Sequence, residues 1–219
     1  MQNLIRILVL CTFPLAGCAH AADQFNTCEL NQNLQNEKSA ELQKIEEEDQ
    51  ADRAGPYDSI DWNKVNPRDT ARRIKVATIF ADGCLKTAAD YAAAAMVFQH
   101  GTVADHYYQT FIWANQAVKI GDSSQRWLTA AGLDRYLVKV GHKQLFGTQF
   151  SKDSVGKFCL QPVESSFSDV LRIEYLKRTL KDNTAHVLKG IGATQSPEET
   201  KNCEPGLKDS PKGTVPGFW

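Results

Sequence analysis

The chain lacks several features by which common classes of protein are recognised. Its formal net charge is only -1 over 219 residues, so no excess of one sign favours nucleic acid or a strongly charged partner. No apolar run approaches the roughly 20 residues that a membrane-spanning helix needs. The sequence also contains no nucleophile elbow, P-loop, His-Glu-x-x-His motif or EF-hand. We therefore expect no nucleic-acid partner, no cofactor and no metal site, and the sequence alone does not reveal a reaction or a ligand.

The composition is that of a globular protein. Hydrophobic residues make up 42% and charged residues 23% of the chain, which is too apolar for a disordered protein. The length allows one domain with tails. We expect a single helical domain over residues 29–190, preceded by a short tether (18–28) and followed by a Pro/Gly-rich tail (191–219).

The N-terminal segment has the pattern of a bacterial lipoprotein signal peptide. Arg6 precedes a short apolar run, Ile7 to Leu15, and Leu15-Ala16-Gly17-Cys18 completes it. This tetrapeptide resembles the lipobox, in which the cysteine is lipidated and becomes the first mature residue. We expect residues 1–17 to be a signal peptide that is removed. The alternative is ordinary cleavage after Ala19-His20-Ala21.

A lipidated Cys18 predicts where the protein is located. Acyl chains such as palmitate each add about 0.8 kcal/mol of membrane affinity per buried methylene, so several chains anchor firmly. By the lipobox rule, Ala19 rather than an Asp at the second mature position indicates the outer membrane. The predicted location is therefore the inner leaflet of the outer membrane, with the domain facing the periplasm. Only nine residues, Ala19 to Thr27, separate the lipid from Cys28, so the domain lies close to the membrane.

Four cysteines remain after Cys11 leaves with the signal peptide and Cys18 takes lipid. They are Cys28, Cys84, Cys159 and Cys203. An even number in an oxidising compartment predicts two disulfides. Three pairings are possible, and we expect Cys28–Cys84 with Cys159–Cys203. No two of the four are close in sequence, which argues against the Cys-x2-4-Cys spacing of zinc sites.

Hydrophobic periodicity predicts a mainly α fold, an antiparallel array of six to seven helices. A first helix over residues 29–53 carries an apolar stripe that continues to Asp49 and Arg53, so we expect this pair on the core side. Trp62 is expected to anchor a loop, and Asn66-Pro67 to start the second helix. That helix is predicted to end at about Asp82.

Three further helices are predicted from capping residues at their starts and glycines after their ends. The predicted starts are Thr87-x-x-Asp90, Thr102-x-x-Asp105 and Asp122-Ser123; the glycines are Gly101, Gly121 and Gly141. After Gln149 the pattern weakens. A short β segment is expected at 157–163, a helix from Asp169 to Leu180 and a last helix at 182–189, and the remaining tail is expected to be extended and mobile except near Cys203.

Several polar residues occur where a helix would ordinarily bury aliphatic side chains. Asp134 falls in the stripe of the fifth helix, where an unpaired carboxylate would cost several kcal/mol. We expect Arg135, Arg53 or His100 to pair with it. The amides of Gln144 and Gln149, beyond the fifth helix, are expected to satisfy its remaining lone pairs, and Gln99 lies on the inner face of the third helix.

These clusters resemble the DUF6624-type bacterial proteins, a family of unknown function. The likeness covers roughly residues 48–180. Its motifs are Asp49-Gln50 with Arg53, Gln99-His100-Gly101, Leu133-Asp134-Arg135-Tyr136, Gly141-x-x-Gln144-x-x-Gly147-Thr148-Gln149 and Gln161-Pro162. The resemblance implies a mostly helical domain and carries no activity or ligand. The lipid anchor, the cysteines and the tail after Gly190 depart from it, which puts any shared partner in doubt.

The polar clusters permit two interpretations. One is a buried hydrogen-bonded network that fixes helix register. The other is a pocket in which His100 acts as a general base oriented by Asp134, with Arg53 or Arg135 holding an anionic group. The functional hypotheses are accordingly a lipid-anchored binding or structural module, which contacts an envelope protein or a small polar ligand, and alternatively a small hydrolase or transferase that uses His100 and Asp134. His20, His106, His142 and His186 are expected at the surface, outside the clusters.

Overall fold

The computed structural model describes residues 27–56, 59–203 and 206–219. Within these ranges the protein is mainly α-helical, as predicted, with seven α-helices and one two-stranded sheet. In chain order these are α1 (Gln32–Ala51), α2 (Trp62–Ala81), α3 (Ala88–Gln99), α4 (Ala104–Lys119), α5 (Arg126–Lys139), β1 (Phe150–Lys152), β2 (Phe158–Leu160), α6 (Asp169–Leu176) and α7 (Leu180–Gly190). The predicted signal peptide and Cys18 lie outside the described residues. Among the helices described here, none combines the length and the hydrophobicity that crossing a bilayer requires.

Capping explains where several helices begin. The predicted box at α3 is confirmed: the Thr87 side chain accepts from the Asp90 N–H, and the Asp90 carboxylate accepts from the Thr87 N–H. The matching prediction at Thr102 is wrong. α4 begins after Val103 without a side-chain cap, and the Thr102 N–H donates instead to His106 Nδ1 at 3.2 Å.

The second helix begins earlier than predicted, at Trp62, which is therefore not a loop residue. Pro67 lies inside α2 rather than at its first position. The proline removes only one backbone hydrogen bond near the helix start, while the turn before it buries Val65 at 4% exposure. Burial of the inner face outweighs that local cost.

The helices after the sheet also differ in their bounds. α6 ends at Leu176 because Lys177 adopts a left-handed conformation, with φ 59° and ψ 23°. α7 then starts at Leu180, and the side chain that caps it is Thr179, which accepts from the Asp182 N–H. The predicted β segment at 157–163 is present as β2, paired antiparallel with β1 so that Ser151 lies opposite Cys159.

The expected disulfide pairing is confirmed. Cys28 bonds to Cys84, with their Cα atoms 5.1 Å apart, and Cys159 bonds to Cys203, with their Cα atoms 4.9 Å apart. The first bond joins the segment before α1 to the loop before α3. The second joins β2 to the C-terminal segment. Each bond thus connects a peripheral segment to the helical body.

Two hydrophobic clusters share the interior. The first packs α1 to α4 together, around residues such as Leu42, Val76, Val97 and Trp113. The second lies beyond α4 and α5; its buried members are Phe111, Ala130, Leu133, Leu137, Leu145, Phe146, Phe167, Leu176 and Val215. The α3–α4–α5 succession lies between the two clusters, so it carries the residues that connect them.

The C-terminal segment is part of the second cluster, so the prediction of a mobile tail is wrong for residues 206–219. Val215 is 2% exposed, and the rings of Phe218 and Trp219 pack against Phe111 and Phe167 respectively. The Trp219 indole N–H donates to the Ser210 carbonyl at 2.7 Å. Aromatic burial offsets the conformational freedom that Gly and Pro would otherwise give this segment.

Candidate functional site

His100 lies at the C-terminal end of α3, beside the buried end of α1. Its Nδ1 is 2.7 Å from Asp49 Oδ2. The Asp49 side chain is fully buried, while the His100 side chain is 21% exposed. Because a carboxylate accepts, this contact places a proton on Nδ1 and leaves Nε2 as the unprotonated nitrogen of the neutral ring. In the part of the chain that the structure describes, no protein group bonds to Nε2.

Asp49 belongs to an ion-pair network between α1 and α2. Arg53 Nη1 donates to Asp49 Oδ1 at 3.1 Å, and Arg53 Nη2 donates to Asp69. Arg72 then bridges Asp69 at 3.1 Å and Asp52 at 2.5 Å. The predicted core-side placement of Asp49 with Arg53 is therefore confirmed. Each buried charge has an opposite charge beside it, which is the condition for burying it at tolerable cost.

The sequence interpretation missed Asp69, Arg72 and Arg73, which are all buried. A signal for them exists. The buried residues of α2 recur every three or four positions and form one helical face: Val65, Asp69, Arg72, Arg73, Val76 and Ile79. A charged residue inside such a stripe is the pattern that drew attention to Asp49 and Arg53.

Three side chains satisfy the carbonyl groups at the C-terminal end of α3. Arg135 Nη1 donates to the Gln99 carbonyl at 2.5 Å, and Arg73 Nη1 donates to the His100 carbonyl at 2.9 Å. The Tyr107 hydroxyl donates to the Gly101 carbonyl at 2.7 Å. A helix C-terminus carries unsatisfied carbonyls and partial negative charge, so cationic donors stabilise it. This is the structural reason for arginines around the Gln99-His100-Gly101 motif.

Among the residues that the structure describes, no carboxylate pairs with Arg135. Its Nε donates to Gln149 Oε1 at 3.1 Å, and its guanidinium lies 5.5 Å from the centre of the Tyr107 ring. Burial lowers its pKa, and the nearby Arg53 lowers it further. Its favourable contacts are the helix end, the amide and the aromatic ring, and not Asp134.

The expected pairing of Asp134 with His100, Arg135 or Arg53 is wrong. Asp134 Oδ1 accepts from the N–H groups of Leu145 and Phe146 at 2.8 and 3.0 Å. Its Oδ2 accepts from the Thr148 N–H and hydroxyl, both at 2.9 Å. Burial raises the pKa of Asp134, and these four hydrogen bonds oppose that rise. Asp134 therefore organises the turn after α5 and takes no part in the His100 contact.

Gln144 and Gln149 are also placed differently from the prediction. Gln144 Nε2 donates to the carbonyls of Gln149 and Gln161, at 3.0 and 2.7 Å, and its Oε1 accepts from the Gln149 N–H. Neither amide donates to the Asp134 carboxylate. The fully buried Gln144 instead clips the turn onto the segment after β2, where residues 144 and 163 form a parallel bridge.

The remaining candidate, Gln99, is 4% exposed, and its Oε1 is buried without a hydrogen-bond partner. Such a group destabilises the fold by about 1–3 kcal/mol. Gln99 lies one residue before His100 in the chain, so this unsatisfied oxygen belongs to the residue next to the histidine. The structure thus joins Asp49, Arg53, Gln99, His100, Arg135 and Gln149 in one network, while Asp134 on α5 and Gln144 in the following turn make separate contacts.

The network is mostly filled rather than open. Two cavities, of about 540 and 260 Å³, lie elsewhere in the molecule, and none of the candidate residues lines either of them. Within the described residues, no group of three or more His, Cys, Asp or Glu side chains is arranged to hold a metal ion. No serine, threonine or cysteine side chain described here bonds to His100. Among the described residues of this network, Nε2 of His100 and the buried Oε1 of Gln99 have no hydrogen-bond partner.

The other histidines have separate contacts. His106 is half-buried with its ring against Phe98, and His142 Nδ1 lies 3.0 Å from the Asp209 carbonyl. Neither is fully exposed as predicted, whereas His186 is exposed. His20 lies outside the described residues. Comparisons with known proteins give no further assignment: no protein-family model, no curated protein and no solved structure matches this chain.

Proposed function

We propose that the protein is a lipid-anchored binding module of the bacterial cell envelope, and that it presents His100 to a polar partner. The observation that carries this proposal is the asymmetry of the imidazole. Nδ1 is fixed by the fully buried Asp49 at 2.7 Å, while Nε2 is uncommitted on a side chain that is 21% exposed. A group held in one orientation loses little conformational freedom on binding, which favours recognition.

The surrounding network supports a rigid binding surface. Arg53, Arg73 and Arg135 are all occupied by carboxylates or by the carbonyls at the end of α3. None of them needs to rearrange when a partner approaches His100. A polar group, either on an envelope protein or on a small ligand, would meet an imidazole nitrogen that can accept when neutral and donate when protonated.

The location is part of the same proposal. The Leu15-Ala16-Gly17-Cys18 sequence supports acylation of Cys18, and nine residues then connect the lipid to Cys28. The domain would stay near the outer-membrane surface on the periplasmic side. The two disulfides support an oxidising compartment. Membership of the DUF6624-type proteins remains a prediction from the sequence motifs.

Metabolic labelling with an acyl-chain analogue tests the anchor. We expect label on the wild-type protein and none on C18S, because only the mature cysteine accepts the lipid. A labelled C18S protein would contradict the anchor without touching the proposal for His100.

Site-specific photo-crosslinking in intact cells tests the binding surface. Val103 is a suitable position because it is 46% exposed and lies three residues after His100. A photoreactive residue there should give a discrete adduct in the wild-type background. We expect His100→Gln to remove that adduct while the melting temperature stays within about 2–3 °C. Loss of the adduct together with a collapse in stability would indicate a structural histidine instead.

A second candidate function is a small hydrolase or transferase, with Asp49 in the place that the sequence assigned to Asp134. The favouring observation is the geometry: a buried carboxylate on Nδ1 prepares Nε2 to act as a general base toward water. Hydrolysis of activated aryl esters and aryl phosphates tests it. Activity that is lost in both H100Q and D49N would support this function, whereas equal rates in wild type and H100Q would exclude it.

A further inference from the structure

The larger of the two cavities described above, about 540 Å³, is lined by basic and aromatic side chains, and His100 is not among its lining residues. It is an open groove between the start of α5 and the turn that joins α6 to α7. Its volume is within the range of small-molecule sites. The residues that matter for its chemistry are Arg126, Trp127, Tyr175, Lys177, Arg178 and His186.

Charge is distributed unusually in this groove. Arg126, Lys177 and Arg178 line it, and no Asp or Glu does, although the whole chain has a formal net charge of -1. In the described ranges, none of these three cations forms a salt bridge with a carboxylate. Elsewhere, Arg53, Arg72 and Arg172 pair with aspartates, whereas Arg73 and Arg135 donate to backbone carbonyls at the end of α3. The groove therefore holds positive charge that the protein itself does not neutralise.

Glu174, the neighbour of Tyr175, does not line the groove. What it contributes to Lys177 is its backbone carbonyl, 3.3 Å from Lys177 Nζ. Arg178 Nη1 likewise donates to a backbone carbonyl, that of Leu176, at 3.1 Å. Both cations are thus positioned by main-chain acceptors, which leaves their other donors available to an anion.

The backbone at Lys177 is a second, independent observation. Within the described residues it is the only non-glycine residue with a positive φ, at 59°. Glycine adopts this conformation without a steric penalty and is the usual residue where a helix ends in this way. A lysine here puts a charged side chain at the wall of the groove at some cost to folding.

The aromatic side chains supply an apolar wall. Trp127 is 45% exposed although its neighbour Leu128 is buried. Tyr175 packs on Phe146 and Phe218 in the second hydrophobic cluster and also lines the groove. An exposed indole beside cationic groups can stack on a flat or apolar part of a ligand while the cations hold its charged end.

We propose that this groove binds a phosphate-bearing ligand, with the phosphate held by Arg126, Lys177 and Arg178 and an attached apolar or aromatic group against Trp127. Guanidinium groups match phosphate oxygens with paired hydrogen bonds. A phosphomonoester carries close to two negative charges near neutral pH, which suits three unpaired cations better than a single carboxylate does. The same phosphate chemistry occurs in soluble metabolites and in lipid headgroups.

The test uses the full chain carrying C18S, which cannot be acylated, and phenyl phosphate as the probe. We expect phenyl phosphate to bind more tightly than inorganic phosphate and to change tryptophan fluorescence. Trp127→Phe removes one of the four tryptophans. The fluorescence change should disappear in this variant if it originates from Trp127. Binding is measured independently by calorimetry.

Charge variants decide the assignment. The double variant R126Q/R178Q should weaken phenyl phosphate binding at least about tenfold. The matched control K75Q/K139Q removes the same charge from exposed positions outside the groove and should change affinity less than about twofold. His100→Gln should leave affinity unchanged, so failure here and failure of the proposed function are distinguishable. Equal weakening in both double variants would overturn the site.

Lys177→Gly guards against a folding artefact. It relieves the positive φ, so the melting temperature should not fall, while phenyl phosphate binding should weaken. Vesicles that contain phosphatidic acid, whose headgroup is a phosphomonoester, form a parallel arm. Binding to phenyl phosphate in solution points to a soluble phosphate compound, and R126Q/R178Q-sensitive binding to vesicles alone points to a lipid headgroup. Absence of both refutes the proposal.

Discussion

At the scale of single residues, hydrogen bonding rather than ion pairing decides how Asp134 is buried. Its two oxygens accept four hydrogen bonds from the turn after α5, three of them from backbone N–H groups. Backbone donors cannot rotate away, so both oxygens must remain acceptors. A carboxylate can satisfy all four donors at this position, whereas an amide of the same shape cannot, because its NH₂ group does not accept a hydrogen bond.

We predict that Asp134→Asn lowers the free energy of unfolding by about 2–4 kcal/mol, because one amide N–H₂ must face a backbone donor. Denaturant unfolding measures the change. Asp105→Asn is the matched control, since Asp105 is exposed in the first turn of α4 and should cost at most about 1 kcal/mol. A similar loss in both variants would contradict the role assigned to the Asp134 carboxylate.

His106 provides a pH-dependent prediction. Burial lowers its pKa below the ordinary 6.5, and the nearby Arg73 lowers it further. The unfolded chain then binds a proton that the folded protein excludes, so stability falls as pH drops from 6.5 toward the folded pKa. We expect an NMR titration midpoint of His106 below the ordinary 6.5, and a smaller slope of stability against pH in His106→Gln. A midpoint at or above 6.5 would refute this environment.

Residue placement could be predicted from the sequence, but the partners of those residues could not. The phase of the α1 stripe placed Asp49 and Arg53 inside correctly. Which residue contacts His100 depends on how far α1, α3 and α5 are shifted along their axes relative to one another. Helical periodicity predicts which face of a helix is buried and not this axial shift. That is why Asp49, rather than Asp134, turned out to be its partner.

At the scale of elements, α5 approaches α4 closely at Gly132. A Cβ atom added at Gly132 would lie 2.8 Å from Thr110 Cγ2 and 2.9 Å from the backbone nitrogen of Phe111. Backbone atoms cannot move aside as a flexible side chain can. The absence of a side chain at this position therefore sets the distance between two central helices.

We predict that Gly132→Ala destabilises the protein by about 1–3 kcal/mol through overpacking, despite the better helix propensity of alanine. Thermal and denaturant unfolding measure it. Gly190→Ala, at the end of α7 with nothing within 4 Å of the added Cβ, is the control and should be neutral or stabilising. A stabilised Gly132→Ala variant would mean that α4 and α5 are further apart than described.

Helix existence was more predictable than helix bounds. Thr87-x-x-Asp90 and Thr102-x-x-Asp105 have the same spacing, yet only the first forms a capping box. At the second, the His106 ring takes the Thr102 N–H, so a tertiary preference displaces the local motif. A local sequence pattern indicates which residues could cap a helix, and tertiary packing determines which of them do so.

At the scale of the whole molecule, the C-terminal segment closes the second hydrophobic cluster. Glu164 is the connecting residue: its Oε2 accepts from the Ser210 N–H at 2.7 Å, and its Oε1 accepts from the N–H and hydroxyl of Ser166. The hydrogen bonds from Ser166, with that from Ser210, lower the pKa of Glu164. No local pattern in a Pro/Gly-rich tail predicts such long-range contacts.

This contact predicts acid sensitivity. Because the folded pKa of Glu164 lies below its unfolded value, its stabilising contribution is complete above about pH 4.3 and is lost as pH falls through the folded pKa. We expect the hydrogen-exchange protection factors around Val215 and Trp219, which correct for the intrinsic exchange rate at each pH, to fall in that acid range. Glu164→Gln should exchange faster already at neutral pH and depend less on acid. An unchanged neutral exchange rate in this variant would contradict the role of Glu164.

The mainly α architecture and the presence of two disulfides were predictable, because helical periodicity and an even cysteine count are local or compositional signals. The cysteine count itself left three pairings open. The tail was not predictable. Pro216 and Gly217 separate Val215 from Phe218 and Trp219. Glycine and proline predict an irregular, flexible segment from the local sequence. Their burial depends on a cluster formed by Phe111, Phe146 and Phe167, far away in the sequence.

We propose that the network positions His100 for binding and that the stability of the fold does not depend on His100. The most direct measurement is the yield of the photo-crosslink from position 103, compared between wild type and His100→Gln in the same cells. We expect the yield of the adduct to fall at least about tenfold in His100→Gln, because a tenfold loss of affinity corresponds to roughly 1.4 kcal/mol of binding free energy. The melting temperature should be preserved. An adduct of equal yield in the folded H100Q protein would contradict it.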